Sequence, residues 1–177
     1  MNIIIADNIL KHYLFEQLFI SPSNRDDTGT LSGKFSELAQ TILKSCEHTF
    51  DNVLKSAKFI KIDNGNCMVE IKPAVEHGNV MNVVHGGFLT TAIETFTTYA
   101  LGSHKDCGFI QSYSIDTHVS YLKSIQVGQE LIVDCKITKI GKHVAFTECL
   151  ISDKHTGEAL VKGNHTKFLN RDKKLVF

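Results

Sequence analysis

The segment from Phe88 to Leu101 limits the fold more than any other part of this chain. Glu94 is its only charged residue, and almost everything else is apolar or carries a hydroxyl. The β-branched content favours a strand. The length favours a helix, as does the run Phe88, Ala92, Phe96, Ala100 at steps of four. A helix with apolar or hydroxyl side chains on nearly every face must be enclosed by protein. The remaining elements therefore have to wrap it. At its start stands His85-Gly86-Gly87, after the polar loop from Glu76 to Asn82. The first N–H groups of a helix lack internal partners, and the helix dipole adds partial positive charge there. Glycine lets a substrate oxygen approach closely. Such an opening suits stabilisation of a developing oxyanion.

Upstream, Phe35, Leu38, Ala39, Ile42 and Cys46, then Phe50, Val53, Leu54 and Ala57, recur at helical spacing and predict one apolar face. Phe59–Ile62 and Cys67–Ile71 flank Asn64-Gly65, a tight-turn pair, and predict a hairpin. Four strands are expected over roughly Gly108–Leu122, Glu130–Ile140, His143–Ser152 and Ala159–Leu169. Short turn-like separators make them an antiparallel meander. Helix, two strands, long helix and four strands give an α+β class, a curved antiparallel sheet around one buried helix.

The 177 residues suit one domain with a core of its own. Ser21 to Gly33 is turn-rich, so the expected organisation is an N-terminal extension and linker over 1–33, a domain over 34–170 and a tail over 171–177. Lysine plus arginine and aspartate plus glutamate are 19 each, so no overall field draws nucleic acid or an acidic membrane. Charges break the apolar run from Met1 to Ile20, which is too interrupted to span a membrane. The five cysteines are odd in number and include no CxxC, which fits a reduced compartment and thiols used as small core residues. Neither the histidines nor the cysteines show zinc spacing, and no GxSxG elbow is present. No metal or cofactor is expected.

Asn79-Val-Met-Asn-Val-Val-His85-Gly86-Gly87 with Glu94 eight residues after Gly86 resembles the hotdog-fold acyl-CoA thioesterases of the PaaI-like group. Ser114 to Leu122, Val127-Gly128, Lys139 to Lys142 and Gly163 to Lys167 continue the likeness in order. The resemblance implies a hotdog fold and hydrolysis of fatty acyl-CoA, of medium or long chain, to free acid and CoA, with CoA as part of the substrate. It also implies a homodimer whose active sites draw on both subunits, and usually a tetramer. The expected location is cytoplasmic, with mitochondrial association carried by the family.

The resemblance also implies roles. Gly86 would polarise the thioester carbonyl through its N–H, and Asn79 would help bind the same carbonyl. His85 would orient the thioester and hold the loop. Glu94 stands where close relatives have aspartate, and it would activate water or act as nucleophile. Ser114 would position that water, with Asp116, two residues on, as the alternative polar partner on the same strand face. Lys139, Gly141, Lys142 and His143 would lie beside the CoA nucleotide, with His165 and Lys167 adding to them. Tyr121 and Phe168 would pack on the ligand.

Each residue also has a plain structural use. Gly86 and Asn79 suit a turn, and His85 suits a hydrogen-bonded helix start. Ser114 suits a local strand contact, and the lysines suit a solvated hairpin. Glu94 is the hardest to dismiss, because burying a lone acid must be compensated. A non-catalytic acyl-CoA sensor or carrier on the same fold is the alternative function. A hotdog hydratase or dehydratase ranks last, since its His-and-acid pattern is not evident.

Overall fold

The computed structural model describes residues 34–107 and 110–174. The expected extension over 1–33 lies outside them. Helix α1 spans Lys34–Lys44, and a 3-10 turn covers Phe50–Leu54. Strands β1 (Lys58–Asp63) and β2 (Asn66–Ile71) form the expected hairpin. Positive φ angles of 35° at Asn64 and 94° at Gly65 make the turn that Asn-Gly favours. Helix α2 runs Gly86–Ser103. Strands β3 (Ile110–Tyr121), β4 (Leu131–Ile140), β5 (Val144–Asp153) and β6 (Ala159–Lys174) complete one sheet in the order β1-β2-β4-β5-β6-β3. Every pairing is antiparallel.

The β-branched α2 is helical because its hydroxyls are satisfied locally. Thr90, Thr91, Thr97 and Thr98 each donate to the carbonyl four residues back, at 2.7–3.1 Å. Its apolar side chains go into the sheet. Ala92, Ile93, Phe96 and Ala100 are fully buried with Leu131, Val133, Ile151 and Val161. Each large side chain so enclosed contributes roughly 1.5–3 kcal/mol. The helix lies close on β6 at Gly163, where an added Cβ would come within 2.8 Å of Ile93 Cδ1.

Three expectations need correction. The apolar face read over 35–57 is interrupted after α1, and Phe50 is 75% exposed, although Leu54 and Ala57 are buried. Turn backbone around residues 45–49 rotates Phe50 off the face that a continuous helix would have given it. The domain does not end at 170, because β6 continues as a paired strand to Lys174, opposite Ile110. Finally, Asp116 does not share the face of Ser114. A bulge between them sets Ser114 opposite Lys167, Asp116 opposite Thr166 and Thr117 opposite His165. Directly paired residues share a face, and Lys167 and His165 are buried. Ser114 and Thr117 therefore point to the helix and Asp116 points away.

Four of the five cysteines, Cys67, Cys107, Cys135 and Cys149, are buried thiols. Among the described residues no helix is long and apolar enough to cross a membrane.

Candidate active site

The loop before α2 is closed by a Gly78–Val84 bridge and a second from Val83 to Gln126. Asn79 Oδ1 accepts from the N–H groups of Met81 (2.9 Å) and Val83 (3.4 Å). Its oxygen thus shapes the loop, and the Nδ2 protons are what it has left to donate to a substrate carbonyl. His85 is the N-cap of α2: its Nδ1 accepts the Gly87 N–H at 2.8 Å. Its carbonyl takes the Phe88 and Leu89 N–H groups. Among the described residues that leaves the Gly86 N–H as the unpartnered donor at the helix start. Tyr121 meets it there, donating to the Gly86 carbonyl at 3.1 Å and contacting Thr90 Oγ1 at 2.9 Å. A Cβ on residue 86 would lie 3.0 Å from the Tyr121 hydroxyl. A cleft of about 420 Å³ opens here, lined by Val84, Gly86, Leu89, Tyr121, Leu122 and Ser124 among others.

Two turns further along α2 is a second polar group, between the helix and β3–β6. Glu94 Oε1 accepts from Thr117 Oγ1 at 2.7 Å. Thr97 Oγ1 lies 2.7 Å from His165 Nδ1, and His165 Nε2 lies 2.9 Å from Ser114 Oγ. Lys167 Nζ donates to Thr98 Oγ1 at 2.7 Å. Burial, reinforced by the Lys167 charge, pushes the His165 imidazole down to about 4. Burial also pulls the Lys167 ammonium down to about 8, against the attraction of Glu94. The structure thus sets Glu94, held by Thr117, and Ser114, held by His165, in one polar cluster between α2 and the β3–β6 pair. It places His165 and Lys167 there as well, 0% and 5% exposed, and not on the nucleotide-facing surface expected of them. Thr97, Thr98 and Thr117 are functional candidates that sequence reasoning missed. Thr97 and Thr98, three and four residues after Glu94, share its helix face and were the available signal.

The basic corner lies at the far end of α2. Lys139, Lys142 and His143 are exposed at the β4–β5 turn, where Gly141 donates to Val144 O at 2.7 Å. Arg171 fastens this turn through the carbonyls of Lys142 (2.7 Å) and Gly141 (3.3 Å), and reaches Asp106 O at 3.3 Å. Phe168 is 39% exposed and its ring lies parallel to that of His143, 6.3 Å away. No cluster fit to hold a metal ion is present among the described residues.

Residues 81–160 match the family model of the thioesterase superfamily. A putative esterase of Caenorhabditis elegans is 30% identical over 118 residues, covering 66% of this chain and 68% of the relative. The chain belongs to the thioesterase superfamily. Human acyl-coenzyme A thioesterase 13 is 28% identical over 120 residues, 68% of this chain and 84% of that protein. The solved structure of thioesterase superfamily member 2 from Mus musculus superposes with a TM-score of 0.69 at 26% identity, covering 76% of this chain and 97% of that one. Sheet order, central helix and relatives agree on the hotdog architecture.

Proposed function

We propose that this protein is an acyl-CoA thioesterase that hydrolyses medium- or long-chain fatty acyl-CoA to the free acid and CoA. The observation that supports this is a polar cluster in which Thr117 holds Glu94 and His165 holds Ser114, with an open N–H at Gly86 on the helix that carries Glu94. Glu94 takes a proton from water as the water oxygen attacks the thioester carbon. The Gly86 N–H, joined by Asn79 Nδ2, stabilises the carbonyl oxygen as it becomes an oxyanion. Collapse of the tetrahedral intermediate breaks the carbon–sulfur bond. The proton held by Glu94 goes to the departing CoA sulfur. Names carried by relatives, acyl-coenzyme A thioesterase 13 among them, support this substrate class.

One copy cannot do this alone. Gly86 and Glu94 are eight residues apart on one helix, which is about 12 Å of axial rise. A thioester carbonyl and its attacking water must lie within about 3–3.5 Å of each other. A second copy that brings its own Glu94 to this Gly86 resolves the mismatch. The exposed edge of β3 supports that arrangement. It is a 12-residue edge strand with Tyr113 51%, Ile115 57% and Tyr121 52% exposed, and such edges are normally covered. Phe146, Leu150 and Phe168 on the outer sheet face support a further pairing of dimers. The basic corner at Lys139, Gly141, Lys142 and His143 is proposed to receive the CoA nucleotide phosphates.

The test is free-thiol release across acyl-CoA chain lengths, with Glu94→Gln as control. Expected is turnover by the wild type and a loss of about 10²–10⁴-fold in the variant, with acyl-CoA binding retained. Binding with no thiol release at any chain length would make the protein a carrier and overturn the proposal.

A further inference from the structure

His165 is fully buried, yet it touches the site at both ring nitrogens. Its hydrogen-bond polarity is determined by its neighbours. Thr97 Oγ1 lies 2.7 Å from the Ile93 carbonyl and 3.1 Å from the Glu94 carbonyl. Carbonyl oxygens only accept, so the single Thr97 proton points to the helix backbone. Turning that proton to the imidazole instead would set two unprotonated oxygens face to face at 2.7 Å inside the core. Thr97 Oγ1 must therefore accept, and the proton between Thr97 and His165 belongs to Nδ1. A neutral imidazole carries one N–H, so Nε2 is bare and accepts. Ser114, 2.9 Å away, supplies the proton. Thr147 Oγ1 fixes the backbone of the same residue, donating to the His165 carbonyl at 2.8 Å.

We propose that His165 is a positioning residue: locked by Thr97 as the Nδ1–H tautomer, it draws the Ser114 proton inward and leaves Ser114 only lone pairs to offer the hydrolytic water. The role given to the water rests on the thioesterase reading; the tautomer does not. The water then faces two acceptors, the Glu94 carboxylate and Ser114 Oγ. It donates one hydrogen bond to each, and its oxygen lone pair is turned to the thioester carbon. Glu94 receives the transferred proton and Ser114 keeps its own. The chain Ile93 carbonyl, Thr97, His165, Ser114 thus carries orientation from the helix backbone to the edge strand.

The test combines spectroscopy and kinetics on the full-length protein. Nitrogen-15 NMR of labelled histidine at neutral pH is expected to show His165 protonated at Nδ1 and bare at Nε2, and Ser114→Ala is expected to shift the Nε2 resonance alone. His165→Asn keeps a donor toward Thr97 and offers nothing at the Nε2 position. It and Ser114→Ala are each expected to lower kcat about 10- to 100-fold with KM nearly unchanged. The double variant is expected to be no slower than the slower single, because both changes remove one coupling. Thr97→Ser should keep the tautomer and the rate, whereas Thr97→Val should lose both. Additive losses in the double variant, or an unchanged tautomer and rate in Thr97→Val, would overturn the inference. Hydrolysis by a wild type whose His165 is protonated at Nε2 would overturn it and spare the thioesterase reading. No hydrolysis by a wild type with the Nδ1–H tautomer would overturn that reading, and with it the water's role.

Discussion

Glu94 is held at one carboxylate oxygen by Thr117, a residue the bulge in β3 turns toward the helix. Thr117→Val keeps the shape and removes the donor, so the carboxylate loses its aim but not its charge. Turnover is expected to fall about tenfold or more, and Thr117→Ser should restore most of it. Equal rates in Thr117→Val and wild type would show that this contact has no part in the reaction. The same cluster makes stability depend on pH. An unfolded histidine binds a proton near pH 6.5 and His165 in the fold near 4, because burial disfavours the charged ring. Between those values the unfolded chain holds more protons, so stability falls as pH drops from 6.5 toward 4. The loss is of the order of 3 kcal/mol. Lys167 works in the same direction at higher pH: its folded value of about 8 lies below the ordinary 10.5, so stability rises across that window. Urea midpoints measured from pH 4 to 10 check both limbs. In His165→Asn the acid limb should flatten while the alkaline limb remains.

Helix α2 lies close on strand β6 where Gly163 faces Ile93. An alanine at 163 would place its Cβ 2.8 Å from Ile93 Cδ1 and 2.9 Å from Cγ2. Overpacking of this kind costs roughly 1–3 kcal/mol. Ile93→Val removes Cδ1 and should return part of the loss, so thermal melts of the singles and the double should show less destabilisation than the sum. Simple additivity would mean that the helix shifts bodily to make room. At this scale the sequence was informative wherever a pattern is periodic. The spacing of Phe88, Ala92, Phe96 and Ala100 predicted a buried helix, and Asn64-Gly65 marked the hairpin. What stayed hidden depends on offsets that leave no periodic trace. A one-residue bulge reversed the faces of Asp116 and Thr117. Turn backbone exposed Phe50. Burial turned His165 and Lys167 from expected phosphate partners into interior groups. Gly86 and Glu94 were legible because their types are out of place in their surroundings. Thr97, Thr98 and Thr117 were not, because threonine in a threonine-rich segment looks like packing.

At the scale of the whole molecule, the separation of Gly86 from Glu94 becomes a statement about assembly. If each site takes Gly86 from one copy and Glu94 from its partner, two dead variants can rescue each other. Gly86→Val adds bulk against the Tyr121 hydroxyl, which already lies 3.0 Å from an ideal Cβ, and blocks the N–H donor. Glu94→Gln removes the base. Each homodimer should be inactive. After unfolding and refolding an equal mixture, half the dimers are mixed by chance. Each mixed dimer holds one site with the native Gly86 and the native Glu94, and one site with neither. The mixture should then show about a quarter of wild-type turnover. No recovery, with mixed dimers verified by mass, would place both residues of a site in one chain and contradict the proposed arrangement. The same logic applies to the β3 edge. Ile115→Lys puts a charge on the exposed strand and should shift the protein toward a monomer in sedimentation. Its turnover should fall in step with the dimer fraction, although Ile115 touches none of the reacting groups. A monomer that retained full turnover would end the two-copy site, and with it the reason for the exposed aromatic edge.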